Sequence, residues 1–82
     1  MEYQIEIKSQ AIKDGKKIHQ KSLKRIFDKI ELLSDNLQGD VKRLTNHAPE
    51  YRLRVGDYRV LFEVENDTVK IYRIKHRKNA YK

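Results

Sequence analysis

The sequence predicts an α+β fold in which two helices cover one face of a mainly antiparallel sheet. Three observations lead to this prediction. Residues 3–8 alternate between apolar and polar side chains, residues 20–34 carry an apolar stripe of helical period, and the C-terminal half alternates again between two-residue turns. A strand, two helices and then a run of strands is typical of an α+β domain. With 82 residues, the chain is expected to form a single domain over residues 1–82.

The N-terminal half contains the first strand and both helices. The alternation of residues 3–8 predicts a strand with one buried face. Ser9 is the expected N-cap of a short helix within SQAIKDGKKI, which Gly15 weakens by about 1 kcal/mol relative to alanine. The second helix, over residues 20–34, buries one stripe of side chains formed by Leu23, Ile26, Phe27, Ile30 and Leu33.

The C-terminal half is predicted to be strand-rich. A loop, SDNLQGD, precedes a short strand, VKRL, and the turn TNHAPE follows. A three-stranded meander is then expected over residues 51–55, 58–65 and 68–75. Gly56-Asp57 suits a type II′ turn because glycine stands first, and Asn66-Asp67 suits a second two-residue turn.

Two-residue turns fix the register, so the faces of the meander can be assigned. We expect Arg54 opposite Arg59, Leu61 opposite Tyr72, and Arg59 opposite Ile74. The face away from the helices, called the open face below, should then carry Arg52, Arg54, Arg59, Leu61, Glu63, Lys70, Tyr72 and Ile74. Arg73 falls on the helix side in this register, so it should lie either at the rim of the sheet or beyond a slip in register.

The arginines of YRLRVGDYR require an explanation. Like charges directly opposite each other destabilise a sheet, yet Arg54 is predicted to oppose Arg59. An anion on the open face is the simplest explanation, because the guanidinium fork binds phosphate bidentately. The net charge of +7 supports a polyanionic partner. The final ten residues, RIKHRKNAYK, contribute five basic side chains and no acid. The lysines and Arg25 of the helices are interpreted as a solvated face.

Other classes of protein are disfavoured. The chain has no cysteine, so disulfides and thiolate metal sites are excluded. No apolar run reaches the length of about 20 residues that spans a membrane, and the acidic, alternating N-terminus is unlike a signal peptide. A cytoplasmic protein without membrane contact, cofactor, metal or small-molecule ligand is therefore expected.

The run YRLRVGDYRVLFEVENDTVKIYRIKHRKNAY resembles the C-terminal half of the RelE/ParE superfamily of bacterial toxins. The shared features are the arginine-bearing strand, the strand GDYRVLF, the strand NDTVKIYRI and a terminal HR followed by tyrosine. The resemblance implies a RelE-like mRNA interferase, an endoribonuclease that enters the 30S A site of the ribosome and cuts mRNA there. In such toxins the 2′-hydroxyl of the mRNA attacks the adjacent phosphate without a metal, and a cognate antitoxin keeps the toxin inactive. ParE-type inhibitors of DNA gyrase share the superfamily, so a gyrase inhibitor is the alternative. A third hypothesis is a nucleic-acid-binding module whose arginines position phosphates without catalysis.

The resemblance also implies roles for individual residues. Arg54, Arg59 and Arg77 are expected to be catalytic through the scissile phosphate, and Tyr81 matches the terminal aromatic residue of the family. His76 is added as a catalytic candidate for its imidazole, independently of the resemblance. Arg52, Lys75 and Lys78 are expected to bind RNA. Arginine stays protonated and is a poor general base, whereas other members often carry lysines at the positions of Arg52 and Arg54. The base is therefore left open: His76 is preferred by its ordinary pKa, and His47, Glu50 and Tyr81 are alternatives.

Overall fold

The computed structural model describes residues 1–81, and it confirms the predicted α+β class. The elements are β1 (Gln4–Ile7), α1 (Ser9–Gly15), α2 (Gln20–Leu32), β2 (Val41–Arg43), β3 (Tyr51–Val55), β4 (Tyr58–Glu65) and β5 (Thr68–His76). The sheet has the order β1-β5-β4-β3-β2. β1 runs parallel to β5, and the other neighbours are antiparallel. Because β1 and β2 occupy opposite edges, the two helices that connect them cross one face of the sheet.

The core lies between the helices and this face. Ile26, Ile30 and Leu33 of the predicted α2 stripe are almost completely buried, as expected for a helix packed along one side. They belong to one apolar core cluster, whose members on the sheet are Leu53, Val55, Val60, Phe62, Val69, Ile71 and Ile74. The alternation predicted for β3 and for most of β4 is therefore correct, and it orients the intervening arginines away from the helices.

The first helix begins differently from the prediction. Lys8, not Ser9, occupies the N-cap, and no side chain caps the helix. The reason is that the backbone N–H of Lys8 donates to the carbonyl of Ile71, so the chain passes directly from the β1–β5 ladder into α1. Gly15 ends the helix, and a Cβ there would lie 3.2 Å from Cδ1 of Leu23. The absence of a side chain thus lets the two helices approach closely.

The register of the last hairpin differs from the prediction. Arg54 opposes Arg59 and Glu63 opposes Lys70, as expected. A β-bulge between Leu61 and Phe62 then shifts the pairing by one residue, so that Leu61 opposes Arg73 and Arg59 opposes Lys75. The predicted pairs of Leu61 with Tyr72 and of Arg59 with Ile74 are therefore wrong.

The bulge has a physical reason in the spacing of the isoleucines of β5. Ile71 and Ile74 lie three residues apart, so strict alternation would place them on opposite faces of the sheet. The shift leaves Tyr72 without an opposing residue on β4 and returns Ile74 to the core, where it is 3% exposed. Burying such a side chain contributes about 1.5–3 kcal/mol, which outweighs the local disruption of the ladder.

The open face is partly covered. Leu61 and Ala80 are 3% and 2% exposed, yet both lie outside the cluster on the helix side. The segment 44–50 folds back toward this face, since the backbone N–H of Glu50 donates to the carboxylate of Glu63. The C-terminal segment 77–81 meets it where the rings of His47 and Tyr81 make an edge-to-face contact. We attribute the burial of Leu61 to these two segments.

The buried carboxylate of Asp14 supplies a hydrogen-bond acceptor to the backbone of β5. β1 ends at Ile7, and beyond it Asp14 at the end of α1 accepts hydrogen bonds from the backbone N–H of Ile74 at 3.0 Å and from Nε of Arg73 at 2.8 Å. Burial raises the pKa of Asp14, but the hydrogen bonds from Arg73, Ile74 and Gln10 outweigh it and hold this pKa below its ordinary value. Of the two alternatives expected for Arg73, the slip in register is correct, whereas the guanidinium contacts Asp14 of α1 and does not lie beyond the helices.

Replacing Asp14 with asparagine should lower the free energy of unfolding by about 1–3 kcal/mol, because buried hydrogen bonds to a charged group are lost. The difference between the wild type and Asp14→Asn should be present at neutral pH. It should vanish as the pH falls through the lowered pKa of Asp14, since protonation then removes the same charge from the wild type.

Urea unfolding across the acid range measures this difference. Asp28→Asn is the control, because Asp28 is exposed and lies 3.9 Å from Lys24 on the surface of α2. A stability difference for Asp14→Asn that is independent of pH would contradict the assignment.

Candidate nucleic-acid interface

Three basic residues form a row across the open face. Arg54 on β3 opposes Arg59 on β4, which in turn opposes Lys75 on β5. Directly opposed residues have Cβ atoms about 4.5–5.5 Å apart, so one anion can contact neighbouring members of the row. The row has no acidic member. We call Arg54, Arg59 and Lys75 the basic row.

The arginines of the basic row keep their charge uncompensated. The side chain of Arg54 is exposed and has no hydrogen bond or ion pair to any other residue within 1–81. Arg59 donates from one terminal nitrogen to the carbonyls of Gly56 at 2.8 Å and Tyr58 at 2.9 Å. These acceptors are neutral, so they orient the guanidinium but leave its charge available to an anion.

Arg77 lies at the same turn as Arg59. Its backbone N–H donates to the carbonyl of Asp57 at 2.7 Å, and its Nε lies 3.7 Å from the Asp57 carboxylate. Both side chains are well exposed, and such surface ion pairs contribute little. The guanidinium of Arg77 can therefore exchange Asp57 for a phosphate at small cost.

Arg52 is engaged elsewhere. One terminal nitrogen donates to both the carbonyl and the carboxylate of Asp40, at 2.8 and 3.1 Å, and the side chain is only 15% exposed. The backbone N–H of Arg54 also donates to the carbonyl of Asp40. Arg52 thus fixes the loop before β2 against β3, and a role in RNA binding would require it to leave this ion pair.

The shifted register separates His76 from the basic row. His76 opposes Tyr58, and the two rings make an edge-to-face contact with centroids 5.6 Å apart. The ring borders a hollow of about 310 Å³ on the helix side, which Asp14 and Lys17 also line. Its Nδ1 accepts from the backbone N–H of Lys78 at 3.3 Å, which leaves the proton of the neutral ring on Nε2. Lys78 itself is exposed.

Tyr81 and His47 lie together in a third group. Their ring centroids are 5.6 Å apart, and Tyr81 is 49% exposed. They border an open hollow of about 330 Å³, together with Lys42, Arg43, Leu44 and Thr45. Glu50, the other candidate base of this loop, lies 3.6 Å from Arg43. Apart from Arg52, Lys78 and Glu50, the predicted site residues thus fall into three groups: the basic row with Arg77, the His76 pocket and the His47–Tyr81 hollow.

The alternation of the sequence did not predict the position of Lys75. The register predicted from the two turns placed Ile74 beside Arg59, but the structure places Lys75 there. The signal was present in the sequence: the three-residue spacing of Ile71 and Ile74, and an arginine on the apolar side, both indicate an inserted residue. The ion pair of Arg52 with Asp40 had no comparable signal, because it joins a loop to a strand.

Residues 1–81 show neither a metal-binding cluster nor a membrane-spanning helix. No three or more histidine and acidic side chains are grouped so as to hold a metal ion, and metal independence of any reaction stays a prediction. Within the same residues, neither helix has the length and apolar character needed to cross a membrane.

The chain is similar to known toxins along most of its length. Residues 5–81 match the family model described as the ParE toxin of the type II toxin–antitoxin system parDE. RelE1 of Methanocaldococcus jannaschii is 33% identical over 88 aligned positions, which cover 100% of this chain and 98% of that protein. Toxin RelE3 of the same organism is 40% identical over 47 residues, which are 57% of this chain and only 53% of that protein.

Solved structures agree with the sequence similarity. A chain in the crystal structure of the RelB–RelE antitoxin–toxin complex from Methanococcus jannaschii superposes with a TM-score of 0.78 at 34% identity. The match covers 93% of this chain and 94% of that chain. The helical pair and the five-stranded sheet are thus the arrangement found in that complex.

The basic row should bind tetrahedral anions measurably. Sulfate should raise the midpoint of thermal unfolding above that in chloride at equal ionic strength, because a ligand of the native state stabilises it. In the double variant Arg54→Gln/Arg59→Gln this increment should shrink. Without sulfate, the variant should be as stable as the wild type or more stable by a few tenths of a kcal/mol, since a like-charge pair is removed.

The matched control is Lys13→Gln/Lys29→Gln, which removes two exposed helical charges. It corrects for the general stabilisation by sulfate and should retain the wild-type increment. An equal loss of the increment in both double variants would show that net charge, and not the basic row, is responsible.

Proposed function

The chain belongs to the ParE toxin family of type II toxin–antitoxin systems, within the RelE/ParE superfamily, and we propose that it acts as a RelE-like mRNA interferase. In this proposal it is a ribosome-dependent endoribonuclease that works in the cytoplasm and cleaves mRNA in the 30S A site. The observation that carries the proposal is the basic row, with Arg77 beside it at the turn. Arg54 and Arg59 have no carboxylate partner within residues 1–81 and therefore suit a phosphodiester, and a solvated surface gives no reason for opposing them across a ladder.

The chemistry needs charge stabilisation at the scissile phosphate. The 2′-hydroxyl oxygen loses its proton and bonds to the adjacent phosphorus, the bond from phosphorus to the 5′-oxygen breaks, and that oxygen takes up a proton. Negative charge grows on the non-bridging oxygens in between. We assign Arg59 and Arg77 as the principal donors to these oxygens, with Arg54 assisting. Donors that are oriented before the reaction stabilise such charge most effectively, and Arg59 is oriented by the turn carbonyls.

Proton transfer requires a different side chain, because arginine stays protonated. Lys75 opposes Arg59 on the open face, and an amine can exchange a proton where a guanidinium cannot. We therefore add Lys75 to His76 and Tyr81 as candidates for this step. His76 would act only if the C-terminal segment turned its ring toward the open face. Tyr81 would act as an acid or stack on a base of the mRNA.

The proposed partners follow from the same surface. The RelB–RelE complex among the similar structures supports a cognate antitoxin for this chain. Arg52 and Lys78 are proposed to contact the RNA backbone next to the row. The lysine-rich outer faces of the helices could contribute non-specific contacts with ribosomal RNA, and these would weaken with salt.

Inhibition of DNA gyrase is the alternative function. It is favoured by one observation, the description of the matching family model as a ParE toxin. A gyrase inhibitor needs a protein-binding surface but no phosphate clamp, and the same fold can serve either function. The alternative therefore leaves the opposition of Arg54 and Arg59 unexplained.

The decisive experiment maps mRNA 5′ ends after the toxin is added to a translating extract. We expect cuts within codons that disappear when ribosomes are removed. Arg59→Ala and Arg77→Ala should each lower the cleavage rate by about 10²–10³-fold, the usual loss when one oriented donor to a developing oxyanion is removed. Lys75→Met should reduce the rate more than His76→Ala if Lys75 transfers the proton.

Lys29→Ala serves as the control, because it removes one exposed positive charge from α2 and should lose at most one non-specific contact with ribosomal RNA, which changes the cleavage rate far less than the arginine variants do. Full cleavage by both arginine variants would contradict the phosphate clamp. Intact mRNA together with double-strand breaks in DNA would establish the gyrase function instead.

Antitoxin and RNA should exclude each other. A neutralising antitoxin segment that covers the basic row must compete for the cations that hold the mRNA. Pre-bound antitoxin should therefore reduce binding of an uncleavable RNA in proportion to its occupancy, as measured by fluorescence anisotropy. A stable ternary complex of toxin, antitoxin and RNA would refute this competition.

A further inference from the structure

Arg25 of α2 reaches the β3–β4 turn. Its terminal nitrogen lies 4.0 Å from the position that a Cβ would occupy on Gly56, and no other atom outside the turn lies that close. The side chain is exposed and makes no ion pair within residues 1–81. From its place in the sequence, Arg25 belongs to the solvated face of the helix, but the structure brings it to the rim of the sheet.

Three guanidinium groups from separate elements meet at this turn. Arg25 comes from α2, Arg59 of β4 donates to the carbonyl of Gly56, and Arg77 of the C-terminal segment lies beside Asp57. Asp57 is the one carboxylate among them and is 64% exposed. The cluster therefore carries a net charge of +2, with the Asp57 carboxylate 3.7 Å from Nε of Arg77.

A small hollow separates α2 from the turn. Its volume is about 170 Å³, and it is lined by Ser22, Arg25, Ile26, Val55, Gly56, Asp57 and Tyr58. The Ser22 hydroxyl adds a neutral donor to the charge of Arg25. Gly56 has a φ of +57°, which the turn requires and which glycine adopts without strain. Its missing side chain also leaves the approach to the hollow unobstructed.

We propose that this hollow is a second phosphate subsite, and that Arg25 binds the phosphodiester adjoining the scissile one. The proposal rests on the function proposed above. The hollow is continuous with the basic row, because Arg59 belongs to the row and also donates to the carbonyl of Gly56 in the turn. An RNA backbone that crosses the row toward the turn would present its next phosphate to Arg25.

A ligand with regularly spaced phosphates fits this arrangement better than an acidic protein segment. Guanidinium groups on both sides of the rim offer planar forks that match successive phosphates. Backbone contacts of this kind position a nucleic acid without reading its sequence. Arg25 is thus assigned to binding, and not to the chemical step.

The test compares oligonucleotides that differ by one phosphate. A dinucleotide with a 2′-deoxy group at the attacked position is the reference, and two trinucleotides extend it on the 5′ or the 3′ side. Wild-type protein should bind one of the trinucleotides roughly tenfold more tightly than the dinucleotide, as expected for one additional charge-assisted contact. Arg25→Ala should lose this gain and retain its affinity for the dinucleotide.

Lys24→Ala is the matched control, since it removes the same charge from the neighbouring, 82% exposed side chain. It should keep the gain, and Arg25→Lys should keep only part of it. Because Arg25 is exposed, thermal unfolding of Arg25→Ala should match that of the wild type. The salt dependence of trinucleotide binding should fall by about 0.7 in logarithmic slope in Arg25→Ala.

The outcomes separate this inference from the proposed function. If the wild type binds and cleaves RNA but Arg25→Ala keeps the trinucleotide gain, the second subsite is refuted and the interferase stands. If Arg25→Ala weakens only antitoxin binding, the surface serves the protein partner and the subsite is again refuted. If the wild type shows neither RNA binding nor cleavage, both proposals fail together.

Discussion

The one-residue shift between β4 and β5 determines how the second half of the molecule is arranged. Val69 and Ile71 alternate normally, and Ile74 could not join them in the core without the extra residue at Tyr72. The same shift places Lys75 opposite Arg59 and turns His76 toward Tyr58 and the helices. A requirement of core packing thus decides which basic side chains share the open face. Bulges beside functional sites commonly redirect side chains in this way.

The shift also depends on the helices. β1 pairs with β5 only as far as Ile7 and Ile71. The backbone of β5 beyond Ile71 would therefore have no partner strand on that edge. Asp14 supplies the missing acceptor to Ile74 and binds Arg73 at the same time. A buried N–H without a partner would cost about 1–3 kcal/mol. The first helix is therefore more than a cover for the core, because its last turn completes the sheet where β1 ends.

The distribution of ion pairs over the surface indicates which part of it is suited to bind an anion. Elsewhere the surface pairs opposite charges, as Glu65 does with Lys70 at 2.9 Å and Arg52 with Asp40 at 3.1 Å. Around the β3–β4 turn Arg77 lies near Asp57, but Arg54, Arg59 and Arg25 have no carboxylate partner within residues 1–81. Uncompensated cations cost folding free energy. Their concentration at one rim of the sheet is thus better explained by an absent anion than by solubility.

The class of fold, the strands of the meander, the apolar stripe of α2 and the opposition of Arg54 to Arg59 could all be predicted from the order of residues alone. Each of these depends on local periodicity or on a two-residue turn, which act over a few residues. The family resemblance was also contained in the order of residues along β3, β4 and β5. Four features depend instead on tertiary packing: the bulge, the binding of Asp14 to the edge of β5, the ion pair of Arg52 and the approach of Arg25 to Gly56. These contacts join residues far apart in the chain, and they form because burial and unpaired backbone groups must be satisfied across elements, which no local pattern records.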